Sequence, residues 1–165
     1  MPAWDDAHNP ANWGGVIIST FWPTPINNFD RLNNYSLVTV LDYEGLSFVF
    51  PGDLESPGFA ALMKYPPFVT ATAPGNRYRV LIAPHHGHVA GVHQPFLDHF
   101  APHLTIISGA WGDPHTDTAT YTVASSGLRV KNRSTNRATT CQVLTTKRND
   151  FVLLQADAQY LTVTV

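Results

Sequence analysis

The stretch Val80-Leu81-Ile82-Ala83-Pro84-His85-His86-Gly87-His88 reads as a short strand running straight into a turn that carries adjacent imidazoles. Four apolar residues in a row leave no polar face, as in a strand buried on both sides. Pro84 and Gly87 then mark the turn. In open α/β proteins, ligand-binding groups gather in the loops beyond the carboxyl ends of such strands. Imidazoles delivered there are metal ligands or acid/base groups; the alternative is a polar surface turn, and the flanking segments must separate the two.

Upstream, Leu46-Ser47-Phe48-Val49-Phe50 reads as a strand paired with Ser36-Leu37-Val38-Thr39-Val40-Leu41 through the turn Asp42-Tyr43-Glu44-Gly45. Val16-Ile17-Ile18-Ser19-Thr20-Phe21 is an earlier β-branched run, stopped by Pro23 and Pro25. Ser56-Pro57 resembles an N-cap followed by proline at the first helical position, and Phe59, Leu62 and Met63 give that helix one apolar face. Residues 65–75, with several prolines, read as a loop.

Downstream, Phe96, Leu97 and Phe100 have helical spacing and Pro102 ends the element, while Leu104-Thr105-Ile106-Ile107-Ser108 is another buried strand. A helix is expected after Asp113-Pro114-His115-Thr116, running to Ser126 with Gly127 as its stop. Residues 128–165 hold β-rich pieces (142–146, 151–154 and 161–165), with turns at Asn149-Asp150 and Asp157-Ala158. Residues 1–15 form an irregular lead-in and 16–165 one domain. Strands alternating with short helices predict an α/β fold, a mixed sheet with flanking helices.

Composition narrows the function classes. With 165 residues, 44% hydrophobic and 13% charged, the chain can bury a core but carries few surface charges. A formal net charge of −2 gives no broad attraction to nucleic acid. The clustered Arg129, Lys131, Arg133, Arg137, Lys147 and Arg148 read as a solvated hairpin surface. Cys141 is the only cysteine, which excludes an intramolecular disulfide and a thiolate zinc cluster, and reads as a small core residue. No apolar run approaches the ~20 residues that cross a bilayer, and residues 1–6 do not form a signal peptide. A cytoplasmic protein without membrane contact is the expectation. Trp4, Trp13, Trp22 and Trp111 are expected to pack, and His88, His93, His99 and His103 to lie on the surface without a role.

Three polar loops follow three successive strands: Gly52-Asp53, His85-His86 and the region from Ser108 to His115. If the strands are neighbours, one carboxylate and two or three imidazoles converge on one sheet edge, a donor set for Zn²⁺, Mn²⁺ or Fe²⁺.

The ordered motifs Asn33-Asn34-Tyr35-Ser36-Leu37-Val38, Phe50-Pro51-Gly52-Asp53-Leu54-Glu55, Leu81-Ile82-Ala83-Pro84-His85-His86-Gly87, Ile106-Ile107-Ser108, His115-Thr116-Asp117 and Val143-Leu144-Thr145-Thr146-Lys147-Arg148-Asn149-Asp150 resemble the metallo-β-lactamase-fold domain of ComEC-type competence proteins. The resemblance covers roughly residues 16 to 150. It implies the carboxy-terminal half of an αββα sandwich and a hydrolase acting on phosphodiesters, nuclease-like in its intact form, with nucleic acid as a substrate class. By the same resemblance Asp53 bridges metal ions, one of His85 and His86 (His85 preferred) ligates the second metal, the other orients substrate, and His115 contacts substrate or transfers a proton.

Active members of this fold also carry an upstream H-x-H-x-D-H motif, and this chain has none. The set Asp53, His85 and His86 therefore implies a weakly held divalent transition metal, Zn or Mn, with the remaining ligands supplied by a missing-half chain or a homodimer partner. The alternative is a catalytically inactive, truncated or degenerate relative acting as an interaction module. Half a sandwich is also expected to leave one apolar sheet face uncovered.

Overall fold

A computed structural model describes residues 13–23, 29–75, 78–109, 114–149, 152–156 and 161–165. Residues 1–12 of the lead-in, Pro25, Trp4, Trp111 and the turns at Asp150 and Asp157-Ala158 lie outside the described residues. Ten strands are described: β1 (Ile17–Phe21), β2 (Val38–Tyr43), β3 (Leu46–Phe50), β4 (Tyr78–Ile82), β5 (Leu104–Ile107), β6 (Leu128–Lys131), β7 (Ala138–Cys141), β8 (Val143–Thr145), β9 (Leu153–Ala156) and β10 (Leu161–Thr164). They form a six-stranded sheet, β1-β2-β3-β4-β5-β8, and a four-stranded one, β7-β6-β10-β9. Five helices accompany them: α1 (Ser56–Leu62), α2 (Pro66–Ala71), α3 (Gln94–Phe100), α4 (Thr118–Ala124) and α5 (Thr146–Asn149). The class is α/β, with mixed sheets and flanking helices.

The larger sheet is antiparallel across β1, β2 and β3 and parallel from β3 through β4 and β5 to β8. β4, the histidine strand, thus has a parallel neighbour on each side, and Val80 and Leu81 are fully buried on opposite faces. This explains why its sequence does not alternate. The β2–β3 hairpin runs further than expected. Asp42 and Tyr43 belong to β2, so the turn shrinks to Glu44 and Gly45, both at positive φ as a tight two-residue connection requires.

One face of the sheet packs on helices. Val38, Val40, Val49, Leu81 and Ile107 share a core with Phe59 of α1, Phe68 of α2, Phe96 and Phe100 of α3, and Tyr121 of α4. Helix α2 replaces the loop expected at residues 65–75. Its two prolines occupy the first turn, where a missing N–H breaks no intrahelical bond. Phe68 then anchors it, with ring centroids 5.4 Å from Phe21 and 5.8 Å from Phe96. In α1 the residue at the cap position is Glu55, not Ser56, whose hydroxyl instead meets His93 Nδ1 at 2.9 Å. Helix α4 is capped by the Asp117 carboxylate on the Thr120 N–H and ends at Ala124, short of the expected stop at Gly127.

The second face corrects the expectation of an uncovered half sandwich. Val80, Leu104, Ile106 and Leu144 of the large sheet form a second core with Leu128, Val130 and Val163 of the small one. Strands β6, β7, β9 and β10 therefore supply a second layer over β4, β5 and β8. Cys141 is half-buried against this core. The basic hairpin is solvated as expected, with residues 131–140 all exposed. Two tryptophans do not pack as expected: Trp13 and Trp22 are 46% and 56% exposed. No helix among the described residues is long and apolar enough to cross a membrane.

Candidate functional site

Because β3, β4 and β5 are parallel neighbours, the loops after all three leave from one sheet edge. The loops are also tied to one another. The His85 N–H donates to the Gly52 carbonyl at 2.9 Å, joining the second loop to the first. The Val89 N–H donates to the His115 carbonyl and the Asp117 N–H to the Gly87 carbonyl, joining the second to the third. The clustering expected of Gly52-Asp53, His85-His86 and His115 is thus a clustering of backbones first.

The backbone of the histidine loop is unusual. His85 (φ 47°, ψ 47°) and His86 (φ 54°, ψ 27°) are both left-handed, and Gly87 follows at φ 78°. Left-handed geometry costs a non-glycine residue on the order of 1–2 kcal/mol. A Cβ on Gly87 would come within 2.9 Å of Ile107 Cγ2, so close packing on β5 also demands glycine.

The turn sends its two imidazoles in different directions. His86 Nδ1 donates to the Ser108 carbonyl at 2.7 Å, which places a proton on Nδ1 and directs Nε2 to 3.6 Å from Asp53 Oδ1. Both side chains are solvent-accessible. His85 Nδ1 instead faces Glu55 Oε1 at 3.4 Å, and that carboxylate also accepts from Arg31 Nη1 at 3.2 Å and from Asn33 Nδ2 at 3.4 Å. Of the adjacent histidines, it is His86 that meets Asp53.

The His115 ring lies 5.3 Å from that of His88, which in turn stacks on His85 at 4.9 Å. His88 therefore has a place in the loop cluster that its sequence context did not suggest. Its Nδ1 accepts from the Ala90 N–H at 3.0 Å, and its backbone bridges to Thr116. The other histidines expected on the surface also have structural partners. His93 lies flat over Phe59, and burial pushes its imidazole pKa down. His103 accepts from the Arg79 N–H, and burial, then the Arg79 charge, lowers its pKa. His99 Nε2 donates to the Val69 carbonyl.

Glu55 is the residue that sequence reasoning passed over. It is 3% exposed and sits between Arg31, Asn33 and His85. The available signal was its place in Gly52-Asp53-Leu54-Glu55, two residues beyond Asp53 and just before a helix. Asn34 is equally buried and accepts the Gly58 N–H at 2.9 Å, holding α1 against the loop before β2.

As a donor set, Asp53 Oδ1 and His86 Nε2 fit two positions of a divalent cation: a carboxylate and an imidazole whose other nitrogen is fixed by a backbone carbonyl. Among the described residues no group of three His, Cys, Asp or Glu side chains is arranged to hold a metal. No protein-family model, curated protein or solved structure matches the chain.

Proposed function

We propose that the chain is a metal-assisted hydrolase of phosphodiesters, with the metallo-β-lactamase-type half sandwich of the ComEC-like domains it resembles. The observation that supports this is the left-handed His85-His86-Gly87 turn. Backbone strain of this kind persists where the surroundings enforce it, and such residues cluster at functional sites. Here the strain places the His86 Nε2 lone pair toward an exposed carboxylate.

Asp53 and His86 would hold the cation, zinc or manganese. A metal bound there supplies a water of lowered pKa and neutralises charge on a phosphoryl oxygen. The Ser108 carbonyl holds the Nδ1 side of His86, so that Nε2 is the ring nitrogen directed toward Asp53, and Glu55 faces the His85 side of the turn. Hydrolysis adds water across one P–O ester bond: the water oxygen bonds to phosphorus, its proton leaves, and the released ester oxygen gains a proton. His115 takes the proton-transfer role on the strength of the resemblance alone. Two protein ligands make a weak site, so a second chain would complete it.

Calorimetric titration with Mn²⁺ and Zn²⁺, alongside hydrolysis of bis(p-nitrophenyl) phosphate, tests the reading. Wild type should take up one ion weakly, and Asp53→Ala and His86→Ala should abolish uptake and metal-dependent turnover together. Equal uptake in all three proteins would overturn it. The second reading, an inactive interaction module, is favoured by the lack of any three-ligand group among the described residues; it predicts no turnover at any metal concentration.

A further inference from the structure

A cavity of about 950 Å³ lies where the two sheets, α4 and α5 meet, and the loop after β5 contributes part of its wall. Gly109 and Thr116 line it. A Cβ on Gly109 would come within 3.1 Å of the His86 carbonyl, and one on Gly87 within 3.3 Å of Thr116 Cγ2, so cavity and turn share a boundary. The volume is that of a small-molecule site.

The lining is chemically selective. Hydroxyls enter from separate elements, among them Thr118 of α4, Thr140 of β7 and Thr145 of β8. Arg148 of α5 contributes the one charged side chain in the described lining, which contains no acidic and no aromatic residue. The Thr145 hydroxyl is buried in the wall and has no hydrogen-bond partner there. Asn149, whose Nδ2 donates to the Thr145 carbonyl, also lines the cavity.

From these features we infer that the cavity binds one end of a small phosphodiester whose ester group is a polyol, with Arg148 on the phosphate and the threonines on the hydroxyls. The inference goes beyond the hydrolase reading above, because neither Asp53 nor His86 lines the cavity. A guanidinium matches a phosphate through paired donors. Threonine hydroxyls and carboxamides both donate and accept, as a polyol requires. An aromatic-free wall offers nothing on which the bases of a single-stranded nucleic acid could stack.

The test is equilibrium binding of glycerophosphoglycerol to the full chain in EDTA, with ten-nucleotide oligothymidylate as the comparison ligand. The expected result is saturable binding of the polyol diester, tighter than the oligonucleotide, weakened at least tenfold in Arg148→Ala and several-fold in Thr140→Val. Both positions are exposed, so both variants should fold. Unchanged binding in Arg148→Ala, no binding by wild type, or tighter binding of oligothymidylate would overturn the inference. Turnover measured separately with Mn²⁺ keeps the two readings apart. Binding without turnover removes the hydrolase and leaves the cavity assigned; turnover without binding in EDTA does the reverse.

Discussion

Two carboxylate–imidazole pairs stand side by side in this molecule, and they differ in nearly everything except chemistry. Glu55 and His85 are 4% and 25% exposed at the side chain, and the carboxylate is shared with Arg31 and Asn33. Asp53 and His86 are 49% and 65% exposed, with His86 tied only through its other nitrogen to the Ser108 carbonyl. The acids are two residues apart and the histidines adjacent, so a short piece of chain builds both. The buried carboxylate is shared among Arg31, Asn33 and His85 and works as a brace. The exposed pair keeps an oxygen and a nitrogen lone pair open to solvent, the condition for taking a ligand. Adjacent identical residues can thus be divided between holding a loop and doing chemistry, with backbone conformation making the division.

That division can be broken at its base. Gly87→Ala adds a methyl at φ 78° and 2.9 Å from Ile107 Cγ2, and should cost about 2–4 kcal/mol from left-handed strain plus overpacking. Urea unfolding should show a lower midpoint with an unchanged slope; a midpoint equal to wild type would mean that the turn is not held as described. Removing the brace comes next. Glu55→Ala removes the acceptor of the Asn33 amide and the carboxylate facing His85 and should cost about 2 kcal/mol, reduced by the exposure of Arg31, while Glu55→Gln should recover part of the loss.

The exposed pair should behave in the opposite way. His86→Gly relieves the left-handed strain and is expected to raise stability by up to about 1 kcal/mol while abolishing metal uptake. A destabilised His86→Gly that still binds metal would erase the distinction between the pairs. Asp53→Ala should lie within about 0.5 kcal/mol of wild type in stability, read from the same unfolding curves.

A pH series sharpens the contrast by separating the loop cluster from the core beneath it. His93 and His103 have pKa values lowered by burial, so the unfolded chain binds protons more readily than the folded one. Stability from these two groups is complete above the unfolded value of 6.5 and falls as the pH drops from there through the folded values. His93→Gln should flatten that fall if the Ser56 and Phe59 contacts are its source, and an unaltered slope would exclude them.

Much of this was legible in the chain. The uninterrupted apolar run before Pro84 marked a strand covered on both faces, and β3, β4 and β5 each deliver their loop to one edge. Asp53, His86 and the third loop could be placed together on that basis. The helix at residues 66–71 was not legible, because prolines that end helices also begin them, and only the burial of Phe68 decides which. Nor was the second sheet, whose β6 and β7 are four-residue strands in a polar, basic segment. Its cover over Val80, Leu104 and Ile106 removes most of the apolar face expected to be open.

By itself, then, the sequence determined the α/β alternation, the apolar central strands and the polar residues at their ends, since these follow from local hydrophobic pattern and from proline and glycine. The tertiary structure alone decided which histidine faces which carboxylate. That choice depends on two consecutive left-handed residues, a conformation no local preference of histidine would select. It is enforced by contacts from residues distant in sequence: the Gly52 carbonyl on the His85 N–H, the Ser108 carbonyl on His86, and Ile107 against Gly87.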